Sequence, residues 1–198
     1  MSDLNTPTRR QVLAGFSATA VSAWVAPSVI GHDAVAAAVG STIATPSVTG
    51  DAVLGTLSAG ESLRPNSAMY SSNSNFWVFQ ECSVTLTTAQ TTQSGDTLPT
   101  GVEITSYLVH WSPASGSTSV AGTVTFPGTI LGYDWGDSQL SGGDAQWGVP
   151  DVVYGTTRRK MEWPNNNDDL TFTLPSFLDI DMFANEAYVD QIRVFVQL

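Results

Sequence analysis

Three features of this sequence predict an all-β fold: a single antiparallel β-sandwich domain of jelly-roll type, placed after a signal peptide. Short runs in which apolar and polar residues alternate recur about ten times, separated by clusters of Gly, Pro, Asn and Asp. No segment of useful length carries helical spacing, and the one helical hint, Phe183 to Tyr188, is too short to matter. The first 36 residues differ from the remainder in pattern and end in small residues, as an export leader does.

The leader comes first. Thr8-Arg9-Arg10-Gln11-Val12-Leu13-Ala14 has the Ser/Thr-Arg-Arg-x-apolar-Leu form of a twin-arginine (Tat) signal. A mildly apolar stretch follows from Val12 to Ile30, broken by Ser17, Thr19, Ser22, Pro27 and Ser28. A permanent span wants about 20 strongly apolar residues, so this stretch fits a cleaved signal rather than an anchor. Ala34-Val35-Ala36 offers a small-x-small cleavage site, with alternatives ending at Ala38 and at Ala23. Residues 1–36 are therefore expected to engage the Tat translocase and to be removed, which makes the protein secreted or periplasmic. Residues 37–60 read as a linker and first strand, with the Ser/Thr/Pro-rich Gly40 to Gly50 as the linker proper, and residues 61–198 read as the sandwich.

The strands follow in order. Ala52 to Leu57 is the first. Phe76-Trp77-Val78-Phe79 is apolar on both faces and is expected to be buried on both. Ser83 to Thr87 alternates. Val102 to Trp111 is the longest run, with Tyr107, Val109 and Trp111 on one face and Ile104, Leu108 and His110 on the other. Val120, Val124 and Phe126 mark another strand, followed by Thr129 to Tyr133, Val152 to Tyr154, Lys160 to Trp163 and Leu170 to Leu174. The last is Asp190 to Gln197, with Ile192, Val194 and Val196 inward and Arg193 and Gln197 outward.

Composition narrows the partners. The net charge is −11, and beyond the leader sixteen acids face five bases, Arg64, Arg158, Arg159, Lys160 and Arg193. Such a surface repels nucleic acid and anionic membranes. A lone cysteine, Cys82, excludes an internal disulfide and a thiolate metal site, and its apolar setting reads as a buried structural thiol.

From about Ser62 to the C-terminus the chain resembles a family of exported bacterial domains, many of which carry a C-terminal sorting tag of the PEP-CTERM type. The segments that carry the resemblance are Phe79-Gln80-Glu81 with Val84-Thr85-Leu86, Ser106 to Pro113, Gly122 to Phe126 with Ile130-Leu131-Gly132, Asp144 with Gly148, Pro150 and Tyr154, Arg159 to Glu162, and Asp190-x-Ile192-Arg193-Val194. The resemblance implies an exported all-β domain and brings no activity, ligand or catalytic residue with it. The tag is absent from this chain, which stops at Gln197-Leu198, so a freely exported protein without a permanent membrane anchor is expected.

Candidate sites are few. His110 is the one histidine beyond the leader, no Gly-x-Ser-x-Gly elbow accompanies it, and it reads as structural. The most site-like segment is the Gly-rich stretch with Asp134, Trp135, Asp137, Asp144 and Trp147. Asp134, Asp137 and Asp144 could supply oxygens to calcium, and the two indoles could stack on a sugar. The competing reading is a turn region whose Asp side chains cap backbone N–H groups. Asn165 to Asp169 reads as a hairpin tip rather than a metal site, and Asp179 and Asp181 as a solvated strand edge. Arg193 is expected to pair with Glu162 or Asp190 as a structural bridge, since a charge near a core must be paired.

The resulting expectation is a non-catalytic, extracytoplasmic binding or structural domain. Carbohydrate, extracellular matrix or calcium is its expected ligand, and no cofactor other than calcium is expected. The alternative is a polysaccharide hydrolase working with two carboxylates.

Overall fold

The structure is a computed structural model that describes residues 34–36, 45–65, 67, 69–162, 168–185 and 187–198. Arg9 and Arg10 of the expected leader lie outside the described residues, as do Asn165 to Asn167 of the expected hairpin tip. The strands are β1 (Ala34–Ala36), β2 (Ser47–Gly50), β3 (Ala52–Gly55), β4 (Ser62–Leu63), β5 (Phe76–Leu86), β6 (Gln90–Thr91), β7 (Thr97–Leu98), β8 (Glu103–Trp111), β9 (Ser117–Thr125) and β10 (Thr129–Asp134). Helix α1 (Asp137–Trp147) follows, then β11 (Val153–Tyr154), β12 (Asp169–Thr173), β13 (Phe177–Asn185) and β14 (Asp190–Gln197).

Two sheets form the expected sandwich. The first has the order β1-β5-β8-β14-β10, with β3 also on β5, and the second has the order β12-β13-β9-β2. Pairing is antiparallel except for β3 on β5 and the two-residue contact of β4 with β11. Alternation decides what lies between the sheets. Tyr107, Val109 and Trp111 of β8 and Ile192, Val194 and Val196 of β14 meet Val120 and Val124 of β9 and Leu178, Ile180 and Met182 of β13. Fully burying each such side chain contributes about 1.5–3 kcal/mol, which makes this seam the main source of stability.

The first sheet is covered on its other face as well. Phe79 and Leu108 pack there with Leu57, Leu63, Tyr70 and Leu140. Ile104 and Phe195 pack with Val84, Leu86, Leu98 and Trp147. Helix α1 and the loops around it thus form a third layer, and β8 and β14 are buried along almost their whole length.

Several expectations are corrected. The Gly-rich stretch after Trp135 is helix α1 rather than a loop. Its sequence is a poor helix former, since each of Gly142 and Gly143 costs about 1 kcal/mol against alanine. Tertiary contacts hold it instead. Leu140, Gly143, Asp144 and Trp147 fall at helical spacing on one face, and Leu140 and Trp147 are buried. A Cβ at Gly143 would stand 3.0 Å from the Arg193 guanidinium, so the glycine lets the helix sit close on the sheet.

Phe183 to Asn185, part of the helical hint, ends β13. The strand wins because Leu178, Ile180, Met182 and Ala184 alternate inward. Phe76 to Phe79 and Ser83 to Leu86 belong to one strand, β5, bent by an irregularity between Gln80 and Ser83. Lys160 makes only an isolated bridge to Gln191 instead of opening a strand. Asp179 and Asp181 lie on the central strand β13, not on an edge.

The expected linker contains β2. It ends at Gly50, whose φ of +70° suits glycine, and the chain crosses within one residue to β3 in the first sheet. The crossing is fixed by Asp51, whose N–H donates to Ala121 O and whose carboxylate accepts from Ala121 N–H. Gly122 allows this close approach, because a Cβ there would stand 2.5 Å from Thr49 O and 3.1 Å from the Phe76 ring. Gly122→Ala is therefore expected to lower stability by about 1–3 kcal/mol in urea unfolding. An unchanged midpoint would show that β2 yields without cost.

Candidate functional site

The third layer is held to the first sheet by ion pairs. Arg193 stands on the outer face of β14 and is fully buried. Its Nε and Nη2 donate to the two oxygens of Glu81, at 2.7 and 2.9 Å. Nη2 also reaches Asp144 Oδ1 at 2.9 Å, and Nη1 donates to Leu140 O at 3.1 Å. Arg159, also fully buried, donates from Nη1 to Asp144 Oδ2 at 2.5 Å and to Gly155 O at 2.8 Å, and from Nε to Gln191 Oε1 at 2.6 Å. Two guanidiniums and two carboxylates balance, and the Tyr154 ring lies 5.4 and 5.8 Å from the two guanidinium carbons. Burial alone would lower the Arg193 pKa, but Glu81 and then Asp144 outweigh it and hold the guanidinium above its ordinary value.

This corrects the expected partner of Arg193. Asp190 and Arg193 are three residues apart on one strand and so point to opposite faces. Arg193 faces the helix layer, whereas Asp190 shares its parity with Ile192 and Val194, which line the seam. Glu81 and Arg159 were missed as network members. Glu81 shares parity with Phe79, which already marked that side of β5 as buried.

The residues read as a ligand loop serve different partners. Asp144 bridges the two arginines. Asp137 accepts from the N–H groups of Arg158 and Arg159, at 3.3 and 2.8 Å. Asp134 accepts from Gln93 N–H at 2.6 Å, and burial raises its pKa. Trp147 is buried, with its ring 4.8 Å from that of Phe195, and so presents no face to a sugar. Trp135 is half-buried and packs on the core beside Tyr133. Cys82 is half-buried, donates from Sγ to Gly148 O, and is pushed up to about 11, chiefly by burial.

His110 is sealed under the same layer. Its Nδ1 lies 2.7 Å from Gln191 Nε2. A guanidinium can only donate, so Gln191 must turn Oε1 to Arg159 and its NH2 to the histidine. Nδ1 therefore accepts, and the proton of the neutral ring sits on Nε2, among the rings of Tyr70, Trp77 and Phe79. Burial first, and Arg159 as well, push its pKa down to about 3.

A separate cluster joins the ends of the two sheets. Asp190 opens β14 opposite Trp111 and is fully buried, and among the described residues neither of its carboxylate oxygens has a hydrogen-bond partner. Asp168, buried just before β12, accepts from Glu162 N–H and from Phe183 N–H of β13, each at 2.8 Å. One oxygen from each of Glu162, Asp168 and Asp190 lies within 4.8 Å of the others. Among the described residues, these three form the acid cluster with metal-ligand spacing, in place of Asp134, Asp137 and Asp144. Burial, and then the neighbouring carboxylates, raise all three pKa values, Asp190 most of all. Asp168 was read as part of a hairpin tip, and no pattern in the sequence separated it from Asp169.

Two outcomes follow from the buried charges. Arg193→Met strands Glu81 without its cation and is expected to cost about 3–5 kcal/mol in denaturant unfolding. A loss below about 1 kcal/mol would mean that water repairs the site. The folded chain keeps His110 neutral down to about pH 3, whereas an unfolded chain protonates it near 6.5. The unfolded state thus binds the extra proton between these values, and stability falls as pH drops through that window. Between about pH 7 and pH 4.5 the protein is expected to lose about 2–3 kcal/mol more than His110→Gln does, and equal losses would assign the acid sensitivity elsewhere.

No protein-family model, curated protein or solved structure matches this chain.

Proposed function

We propose that this chain is exported in a folded state by the twin-arginine route and serves outside the cytoplasm as a non-catalytic β-sandwich, a binding or structural module. The observation that carries the reading is where the reactive side chains are spent. His110, Arg159 and Arg193 are fully buried, as is the side chain of Glu81; Arg193 is held by Glu81, Arg159 by Asp144 and Gln191, and Gln191 in turn reaches His110 beneath α1. A network of this kind must be assembled before water is excluded, which fits passage in the folded form. A domain with one cysteine also needs no oxidative bridging on arrival. The resemblance to exported bacterial domains supports the same compartment.

The competing reading is a polysaccharide hydrolase. Its best carboxylates are Asp190 and Glu162, one of them desolvated, as a general acid requires. Yet Asp190 is fully buried and so shut off from any polymer. With Trp147 buried, the sugar platform expected from the sequence is also lost.

Cell fractionation with the Arg9→Lys/Arg10→Lys pair tests the reading. The unaltered chain is expected outside the cytoplasm and the double variant inside; both inside would overturn export. Release of reducing sugar from a polysaccharide panel, abolished by Glu162→Gln, would restore the hydrolase. Mass spectrometry of the exported form locates the cut. Cleavage after Ala23 retains β1 against Val84 to Leu86, whereas cleavage after Ala36 or Ala38 removes it and bares that edge of β5.

A further inference from the structure

We propose that Glu162, Asp168 and Asp190 bind a hard divalent cation, calcium, at the junction of the two sheets. The carboxylate of Asp190 carries the inference. It is fully buried, turned toward two other carboxylates, and among the described residues both its oxygens lack a donor. Buried charge elsewhere in this fold is compensated within the protein: Glu81 and Asp144 each meet a guanidinium at hydrogen-bonding distance. At this cluster the cation within ion-pair range, among the described residues, is Lys160. It reaches only Glu162, at 4.0 Å, with half its side chain in solvent. An uncompensated carboxylate in such a place is costly, and a bound ion supplies what the chain leaves out.

The spacing fits the ion. Oxygens bound to one calcium at about 2.3–2.6 Å stand no further apart than about twice that length, close to 5 Å. The three oxygens here lie within 4.8 Å of one another. The site is also braced. Asp168 is held by the N–H groups of Glu162 and Phe183, each using one lone pair on a separate oxygen and leaving another for a metal. Backbone N–H groups thus orient a ligating carboxylate from behind, as outer-shell donors do in metal sites. An all-oxygen donor set selects a hard ion over zinc or copper. The ligands come from both sheets, Asp190 from the first and Asp168 through its bond to β13 of the second, so the ion would tie them together.

The inference does not rest on the export reading, and its test needs only the purified full chain. After treatment with EGTA, thermal melting and calorimetric titration with calcium chloride are expected to give a midpoint that rises with calcium, falls again with EGTA, and fits one ion per chain. Terbium(III) is expected to bind in place of calcium, with Trp-sensitised emission that calcium displaces and that Trp111→Phe weakens. Asp190→Asn should weaken calcium binding at least about 10-fold. Glu162→Gln, at the partly exposed ligand, gives the same readout if Asp190→Asn does not fold. Glu103→Gln, exposed at the end of β8 far from Trp111, should change nothing. Three results would each overturn the site: no response up to about 10 mM calcium, roughly tenfold above the weakest range of extracellular modules; a response unaltered by Asp190→Asn and Glu162→Gln; or a response lost in the Glu103→Gln variant. A midpoint raised by Asp190→Asn with no calcium response would show that the cluster is held by protons instead.

Discussion

The bidentate pair between Arg193 and Glu81, extended through Asp144 to Arg159, decides how this molecule is layered. A strand buried on both faces needs something to cover its second face, and α1 is not apolar enough to do so by hydrophobic contact alone. Leu140 and Trp147 bury at its two ends, while Asp144 between them joins the arginines. Arg193 also donates to the carbonyl of Leu140, so the sheet grips both a side chain and the backbone of the helix. A pair of this kind contributes little net energy against a well-packed apolar replacement, yet removing one partner is expensive. Its effect is to fix where the helix sits, and Gly143 makes the close seat possible.

The acidic composition acquires a different meaning once the charges are located. Of the five bases after residue 36, Arg159 and Arg193 are wholly internal. Glu81 and Asp144 match these two cations, so the buried network takes equal charge of both signs from the surface and leaves its acidic excess in place. The interior is balanced beneath the helix and out of balance at Asp190. That contrast separates a network completed by the protein from one that calls for something else.

Much of the sandwich was legible because period-2 alternation survives even in strands buried on both faces. Tyr107, Val109 and Trp111 against Leu108 and His110 were placed on the correct sides, and so were Ile192, Val194 and Val196. The third layer was not legible. Helix α1 keeps a face at i, i+4 and i+7 through Leu140, Asp144 and Trp147, but an aspartate holds the middle position, and apolar periodicity cannot register a stripe completed by an ion pair. The pairing of Arg193 failed for a simpler reason. Sequence proximity suggested Asp190, while strand parity, already in hand, excluded it. The acid cluster was hidden because its members come from three separate places, and only the fold brings Glu162, Asp168 and Asp190 together.

Covering one sheet so completely leaves the other to meet the surroundings. The outward positions of β9, β12 and β13 include Thr125, Thr171 and Thr173, with Asp169, Asp179 and Asp181 among them. Two copies laid face to face along this surface would set like-charged rows against each other and strand hydroxyls without water. The same pleated geometry that builds the interior is thereby kept from continuing into a stack of molecules.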